Sequence, residues 1–491
     1  MTHEEELIEL LDKETAEKEY DTGLSSEQKK TIENTFKRYG LPCKFIREIK
    51  GPQVNCLELD IENGESLCLK SQRDLYDELE TILGEQDIRM VLPRKDKHEG
   101  HLEVPNGNRG HIPAGEMFRS AAWRDSHAEL PIMMGKSVDE KTEILDLETA
   151  PNLLLAGVTR TGKSIFMYSC LLSLIFKHTP DELKMILVDP KMVEFVRFEN
   201  MPYLQFPVIS TTEDTIKVLL WLNKEMERRF ELLAEADCKT IRELNTQKPG
   251  ALPFIVTFID ELADSMLESR SLMESLLASL CAKSQIVGIH LIVATQRLDY
   301  NVLTERIKAS FPVRIGFRMN DLLVSFSLLN SSEAEYLQGR GDMLFFSPMR
   351  EELTRIQGIY CSDEELTRII KSLKIMYGDM KPDALPTIRD MEATEESNQC
   401  VEEDSDSDEA LSQDDRKLLL KAIKIVVEGG CTVSSIQRKL KIGYNKACSL
   451  VEMMEKYGIV SPQQDNGMRN VLVDSYDEAV ICLSKQSDIR L

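Results

Sequence analysis

A chain of 491 residues, 42% of them hydrophobic, is too long for one ordinary core and long enough for two to four domains. Its formal net charge of −24 argues against a uniformly basic nucleic-acid binder, yet it does not exclude one: nine acids fall between Glu392 and Glu409 without a base, and eight fall in the first twenty residues. Eleven cysteines without a CxxC pair or a Cys/His cluster at metal-ligand spacing give a disulfide framework or a structural zinc site little support, and with an acidic N-terminus and no run of ~20 apolar residues neither a secretory signal nor a spanning helix is expected. The expected chain is soluble and cytoplasmic, with no membrane insertion.

Residues 1–25 read as an acidic N-terminal tail. A helix is predicted over Ser26 to Tyr39, stopped by Gly40-Leu41-Pro42. Strand-like Lys44 to Ile49 and Val54 to Leu59, then helix-like Gln72 to Leu83, predict a small α/β domain over 26–120. From Pro151 the pattern becomes strand, glycine turn, helix, strand. The runs Leu153 to Ala156, Met185 to Val188, Ile255 to Ile259 and Leu291 to Ala294 are continuously apolar, as strands of a parallel sheet covered on both faces are, and predict an α/β core over 121–390. Residues 391–410 are too acidic and too poor in apolar groups to offset their ordering entropy, so a disordered linker is expected there. Over 411–475, ten Lys and Arg residues, three helix-like stretches and a hairpin candidate at Asn466-Gly467 predict a second globular unit, followed by a tail over 476–491.

Chemistry concentrates in the α/β core. Gly157-Val158-Thr159-Arg160-Thr161-Gly162-Lys163-Ser164 fits GxxxxGK(S/T), follows an apolar strand and opens a helical run at Ile165. In such a loop the backbone N–H groups from Gly157 to Ile165 cradle phosphates, Lys163 reaches the outer ones and the Ser164 hydroxyl can ligate Mg²⁺. About a hundred residues on, the strand Phe254 to Ile259 ends in Asp260-Glu261. Asp260 is the candidate metal carboxylate, and Glu261 the candidate base that orients or deprotonates water. Acids also simply solvate strand ends; their pairing with the glycine loop favours chemistry. The next strand ends Ala294-Thr295-Gln296-Arg297, which would put Gln296 beside a γ-phosphate if that strand neighbours the Asp260 strand. ATP and Mg²⁺ are the expected ligands.

Four further runs appear in a fixed order: Leu187-Val188-Asp189-Pro190-Lys191-Met192, Glu225-Met226-Glu227-Arg228-Arg229-Phe230, Ile289 to Arg297, and Gly341-Asp342-Met343-Leu344. With the P-loop they make the chain resemble the FtsK/SpoIIIE family of DNA translocases from about residue 26 to 475. The resemblance implies a RecA-like P-loop NTPase core, preceded by a small α/β domain and followed by a winged-helix DNA-binding domain. It also implies an ATPase that moves along double-stranded DNA as a homo-oligomeric ring, a hexamer, in chromosome partitioning or segregation. Recombinase or divisome partners are not readable. A DNA-transfer or packaging ATPase of a mobile element, or a DNA-binding regulator with a decayed ATPase, are the alternatives.

The winged-helix reading rests on Ser435 to Met454, a helix, glycine turn and second helix in which Arg438, Asn445, Lys446 and Ser449 are candidate DNA contacts. Lys446 and Ser449 stand where family members carry Arg, so the usual target sequence is not expected. Two other departures matter. Arg160 occupies a position the family gives to glycine, and Ser325-Phe326-Ser327 replaces a Ser-Arg-Thr tripeptide, leaving Arg297, Arg314 and Arg318 as candidates for an arginine finger.

Overall fold

The computed structural model describes residues 2–13, 24–51, 53–62, 69–85, 87–93, 98–106, 110–350, 352–378 and 381–385, with scattered positions between 422 and 473. The chain divides into two units, Met1–Glu395 and Glu396–Leu491.

In the first unit, helix α1 (His3–Ile8) begins with a capping box between Thr2 and Glu5. Helix α2 (Ser26–Arg38) begins with another, between Ser25 and Gln28. Strands β1 (Cys43–Lys50) and β2 (Val54–Ile61), helix α3 (Leu69–Leu83) and strands β3 (Arg89–Val91) and β4 (Glu99–Pro105) complete an α/β domain. Its sheet is antiparallel in the order β1-β2-β4-β3. Ile32 and Phe36 of α2 and Leu75 and Leu79 of α3 close its core over Leu57, Leu59 and Leu102.

A second, larger core is built on strands β5 (Ile112–Pro113), helices α4 (Ala114–Phe118) and α5 (Ala121–Arg124), strands β6 (Pro131–Ser137), β7 (Thr142–Asp146) and β8 (Asn152–Ala156), helix α6 (Lys163–Lys177) and strand β9 (Leu183–Val188). Helices α7 (Thr212–Glu235) and α8 (Ile241–Gln247), strand β10 (Phe254–Ile259), helix α9 (Leu262–Lys283), strand β11 (Ile289–Thr295), helix α10 (Glu305–Ser310) and strand β12 (Val313–Phe317) follow. Helix α11 (Leu322–Leu329), strands β13 (Asp342–Phe346) and β14 (Thr354–Tyr360) and helix α12 (Asp363–Tyr377) complete it. The sheet runs β7-β6-β14-β13-β12-β8-β11-β10-β9, with β5 paired to β14.

Strands β12, β8, β11, β10 and β9 are parallel, and the four continuous apolar runs of the sequence are the last four of them. From β12 through β13, β14, β6 and β7 the pairing is antiparallel, and the short β5 joins β14 in parallel sense. The sequence predicts only the parallel half.

Two boundaries differ from the sequence expectation. Residues 2–12, read as part of an acidic tail, are docked: Leu7, Ile8 and Leu11 lie in the larger core, and Arg119 donates to the carbonyls of Ile8, Leu11 and Asp12 at 2.6–3.0 Å. Acids there are used singly, Glu4 accepting from the Trp123 indole at 2.8 Å and pairing with Lys177 at 2.8 Å. The division between the α/β domain and the core also falls before residue 120, since β5 pairs with β14 and Phe118 packs on Trp123 and Phe176.

In the second unit, Ala422, Ile423, Val426, Leu450, Val451, Met454, Ile459, Val460 and Val473 are buried, and Val460 bridges Val471 in antiparallel sense, where the sequence expects a wing. The acidic linker, the hairpin turn and the contacts Arg438, Asn445, Lys446 and Ser449 lie outside the described residues. Among the described residues no helix is long and apolar enough to cross a membrane.

Docking of residues 2–12 makes a checkable claim. Leu7→Ala removes a fully buried side chain, so it is expected to cost about 2–4 kcal/mol in urea unfolding of the full chain, whereas an exposed tail would register almost none.

Candidate active site

Parallel strands deliver their C-terminal ends to one edge of the sheet, and the loops that leave that edge carry the reactive groups. Ala156 at the end of β8 pairs with Thr295 at the end of β11, and Ile259 at the end of β10 pairs with Val293 of β11. The sequence condition on Gln296 is therefore met: its strand lies directly beside the one that ends in Asp260-Glu261.

The loop from β8 to α6 turns back on itself. Gly162 has φ +117°, and a Cβ there would stand 2.4 Å from the Gly341 nitrogen, so both the conformation and the space demand glycine. Arg160 also has positive φ, at 64°, the left-handed conformation expected where glycine is usual. Lys163 is buried, and its ammonium donates to the carbonyls of Gly157 and Val158 at 2.6 and 2.8 Å. Burial lowers its pKa to about 8, against the opposing attraction of Glu261 and Asp260. Ser164 and Ile165 are half-buried at the start of α6.

Both strand-end acids are buried. Burial pushes the Asp260 carboxyl up to about 7, and the nearby carboxylates of Glu194, Asp189 and Glu261 add to the shift. The Glu261 carboxylate accepts from the Thr295 hydroxyl at 2.7 Å, from Gln296 N–H at 3.1 Å and from Ala263 N–H at 3.2 Å, the last capping α9. Lys191 stands 3.7 Å away. The Thr159 hydroxyl donates to the Gln296 side-chain oxygen at 2.9 Å, joining the glycine loop to the end of β11.

Asp189 and Lys191 join this edge without having been singled out as site residues in the sequence. Asp189 is fully buried and its Oδ2 accepts from the N–H groups of Val193, Glu194 and Phe195 at 2.8–2.9 Å, which folds the loop that presents Lys191. The Glu225 to Phe230 run serves structure: buried Arg229 bonds Glu225 at 2.7 Å and the Val287 carbonyl at 2.8 Å. The three arginine-finger candidates separate as well. Arg314 donates to the carbonyls of Lys308, Phe311 and Leu328 within its own chain at 2.6–2.9 Å, Arg318 pairs with Asp87 at 3.2 Å, and Arg297 is exposed. Phe326 is exposed on α11, flanked by buried Ser325.

A glycine loop, two strand-end acids and an adjacent polar strand end stand together at one edge of the sheet, and comparison with known proteins gives the family of the chain. The FtsK/SpoIIIE family model matches residues 115–299, the FtsK alpha domain model residues 7–106 and the Ftsk gamma domain model residues 413–474. The chain belongs to the FtsK/SpoIIIE family. It is 35% identical over 448 residues to DNA translocase FtsK of Treponema pallidum, an alignment covering 90% of this chain and 54% of that one. It is 33% identical over 476 residues to DNA translocase SftA of Bacillus subtilis, covering 96% and 48%. The chain thus spans about half the length of these curated relatives. Among solved structures it is similar to the conjugation coupling protein TcpA of pCW3 with ATPgS, at 23% identity and TM-score 0.49, covering 72% of this chain and 100% of that one. As a member of the FtsK/SpoIIIE family, the chain carries a RecA-like P-loop core between an alpha domain and a winged-helix gamma domain.

The raised pKa of Asp260 has a signed consequence. Well below pH 3.8 the acid is neutral whether the chain is folded or not; as pH rises through 3.8 toward about 7 the unfolded chain releases the proton while the folded chain retains it, so stability falls through that window. In EDTA, Asp260→Asn is therefore expected to raise Tm over the parent chain more at about pH 8 than at about pH 5, by differential scanning fluorimetry. Equal shifts at both values would remove this electrostatic account.

Proposed function

We propose that this chain is the motor of an ATP-driven translocase on double-stranded DNA, acting in chromosome partitioning or segregation, as a cytoplasmic homo-oligomeric ring with six subunits. One observation carries the reading: Lys163, Asp260, Glu261 and Gln296 converge on the same edge of the parallel sheet. The names of the relatives, DNA translocase FtsK and DNA translocase SftA, supply the substrate.

The mechanism follows from positioning and charge. Backbone N–H groups from Gly157 to Ile165 hold the β- and γ-phosphates of ATP, and Lys163, released from the carbonyls it now serves, neutralises them. Glu261 aligns the attacking water and accepts its proton. Gln296, bonded to Thr159 and adjoining Glu261, reports whether the γ-phosphate is present.

Ser164 and Asp260 would hold a magnesium ion, which when bound supplies positive charge to the outer phosphates. The donor set fits. Asp260 is disfavoured as an anion by its own burial and by three neighbouring carboxylates, an imbalance a hard cation would offset.

The gamma domain is the second DNA contact in this proposal, through Arg438, Asn445, Lys446 and Ser449. In the sequence, Asn445, Lys446 and Ser449 fall where the expected second helix begins, with Arg438 in the stretch before it, and that order supports the proposal.

ATP hydrolysis with and without long duplex DNA, compared between the parent chain and Lys163→Ala, tests the reading. Duplex is expected to stimulate turnover, and the variant to lose about 100-fold or more. Hydrolysis that ignores duplex, or survives in the variant, would overturn it; binding of both ligands without hydrolysis would favour a regulator with a decayed ATPase.

A further inference from the structure

Among the described residues, a cluster of buried charge outside the catalytic edge lies where the N-terminal α/β domain meets the core. Arg355 on β14 donates through Nε and Nη2 to both carboxylate oxygens of Asp342 on β13, at 2.9 and 2.6 Å, and through Nη1 to Glu103 on β4 at 2.6 Å. Glu103 also accepts from Arg89 on β3 at 2.6 Å, and Arg89 reaches Glu333 at 2.7 Å. Glu103, Asp342, Arg89 and Arg355 are each at most 4% exposed. Two strands of one domain and two of the other are thus tied through five charges.

Ion pairs this deeply buried stabilise a fold no better than apolar side chains of the same volume, because desolvation offsets the attraction. What they supply is one permitted geometry. Asp342 shows what that geometry controls. Its Oδ2 also accepts from Gln338 N–H at 2.6 Å, closing the turn 338–342, in which Gly339, Arg340 and Gly341 have φ of +74°, +52° and +90°. Gly341 N–H donates to the Thr161 carbonyl inside the phosphate loop at 2.8 Å, and Gly341 is the residue that leaves Gly162 no room for a Cβ. A continuous path of short, buried contacts therefore runs from Glu103 through Arg355, Asp342 and Gly341 to Thr161 and Gly162.

We propose that Glu103, Arg355 and Asp342 form a positioning clasp by which the alpha domain sets the shape of the phosphate loop, so that nucleotide affinity depends on a residue of the alpha domain that lies outside the nucleotide site. By linkage, nucleotide binding then biases the placement of the alpha domain to the same extent. The inference rests on the nucleotide reading of the preceding section and deepens it: the clasp names how the site is regulated within the chain.

The test uses the full chain and the affinity of a fluorescent, slowly hydrolysed ATP analogue. Glu103→Gln removes one charge without stranding another, since Arg89 keeps Glu333 and Arg355 keeps Asp342. It is expected to weaken analogue binding about three- to tenfold and to raise KM for ATP more than it lowers kcat. Gly341→Ala acts at the far end of the path, where a Cβ would meet the Gln357 amide at 3.2 Å at a φ that disfavours it, and is expected to weaken binding similarly without altering any charge. In the Gly341→Ala background, Glu103→Gln should add nothing. Leu57→Ala, in the alpha-domain core, should lower Tm and leave analogue affinity unchanged.

Glu103→Gln with parental affinity, or the two substitutions weakening binding additively, would overturn the clasp and leave it a structural tie. If Glu103→Gln yields no folded protein, Gly341→Ala decides alone, and parental affinity there overturns the proposal. A parent chain that binds no analogue would instead sink the nucleotide reading, and the clasp with it.

Discussion

The contact between Gly162 and Gly341 is the constraint on which the site depends. The phosphate loop leaves the parallel half of the sheet, and the backbone at Gly341 closes against it with no space for a side chain on Gly162. Backbone hydrogen bonds from Gly341 to Thr161 and from Gly358 to Gly341 then fix the loop to β14. A phosphate cradle works by presenting N–H groups in a fixed array, so its rigidity comes from this packing and not from the glycine pattern alone.

Buried charge follows the same logic on both sides of the loop. On the catalytic side, Lys163, Asp260 and Glu261 are desolvated together, and the balance is incomplete: Asp260 is driven toward its neutral form while Glu261 takes three hydrogen bonds and a lysine neighbour. An unbalanced cluster is poised to accept charge from outside. On the opposite side, Arg355, Asp342, Glu103 and Arg89 satisfy one another, and a balanced cluster holds a geometry. The contrast separates a site that binds from a joint that positions.

Docking of residues 2–12 belongs to the same economy. An acidic segment would ordinarily stay in water, yet its carbonyls are gathered by Arg119 and its few apolar residues face the core. Three leucine and isoleucine side chains at helical spacing outweigh five acids because those acids sit on the outer face or pair with Lys177 and Arg368.

Much of the site was legible in the primary sequence, for a local reason. Gly157 to Ser164 and Asp260-Glu261 are contiguous motifs whose chemistry requires those side chains at those spacings, and continuous apolar runs announce parallel strands because both faces of such strands are covered. The order of quoted motifs also sufficed for the family. What the linear order could not contain were partners brought together across long separations: the pairing of β11 beside β10 that places Gln296, the Thr295 hydroxyl on Glu261, the four antiparallel strands, and the path from Glu103 to Thr161. These rest on register and side-chain direction, which depend on how whole layers pack. Sequence alone determined which chemical groups the protein owns and their family; only the tertiary structure decided which of them are desolvated together, because burial and pairing are properties of neighbours in space and not of neighbours in the chain.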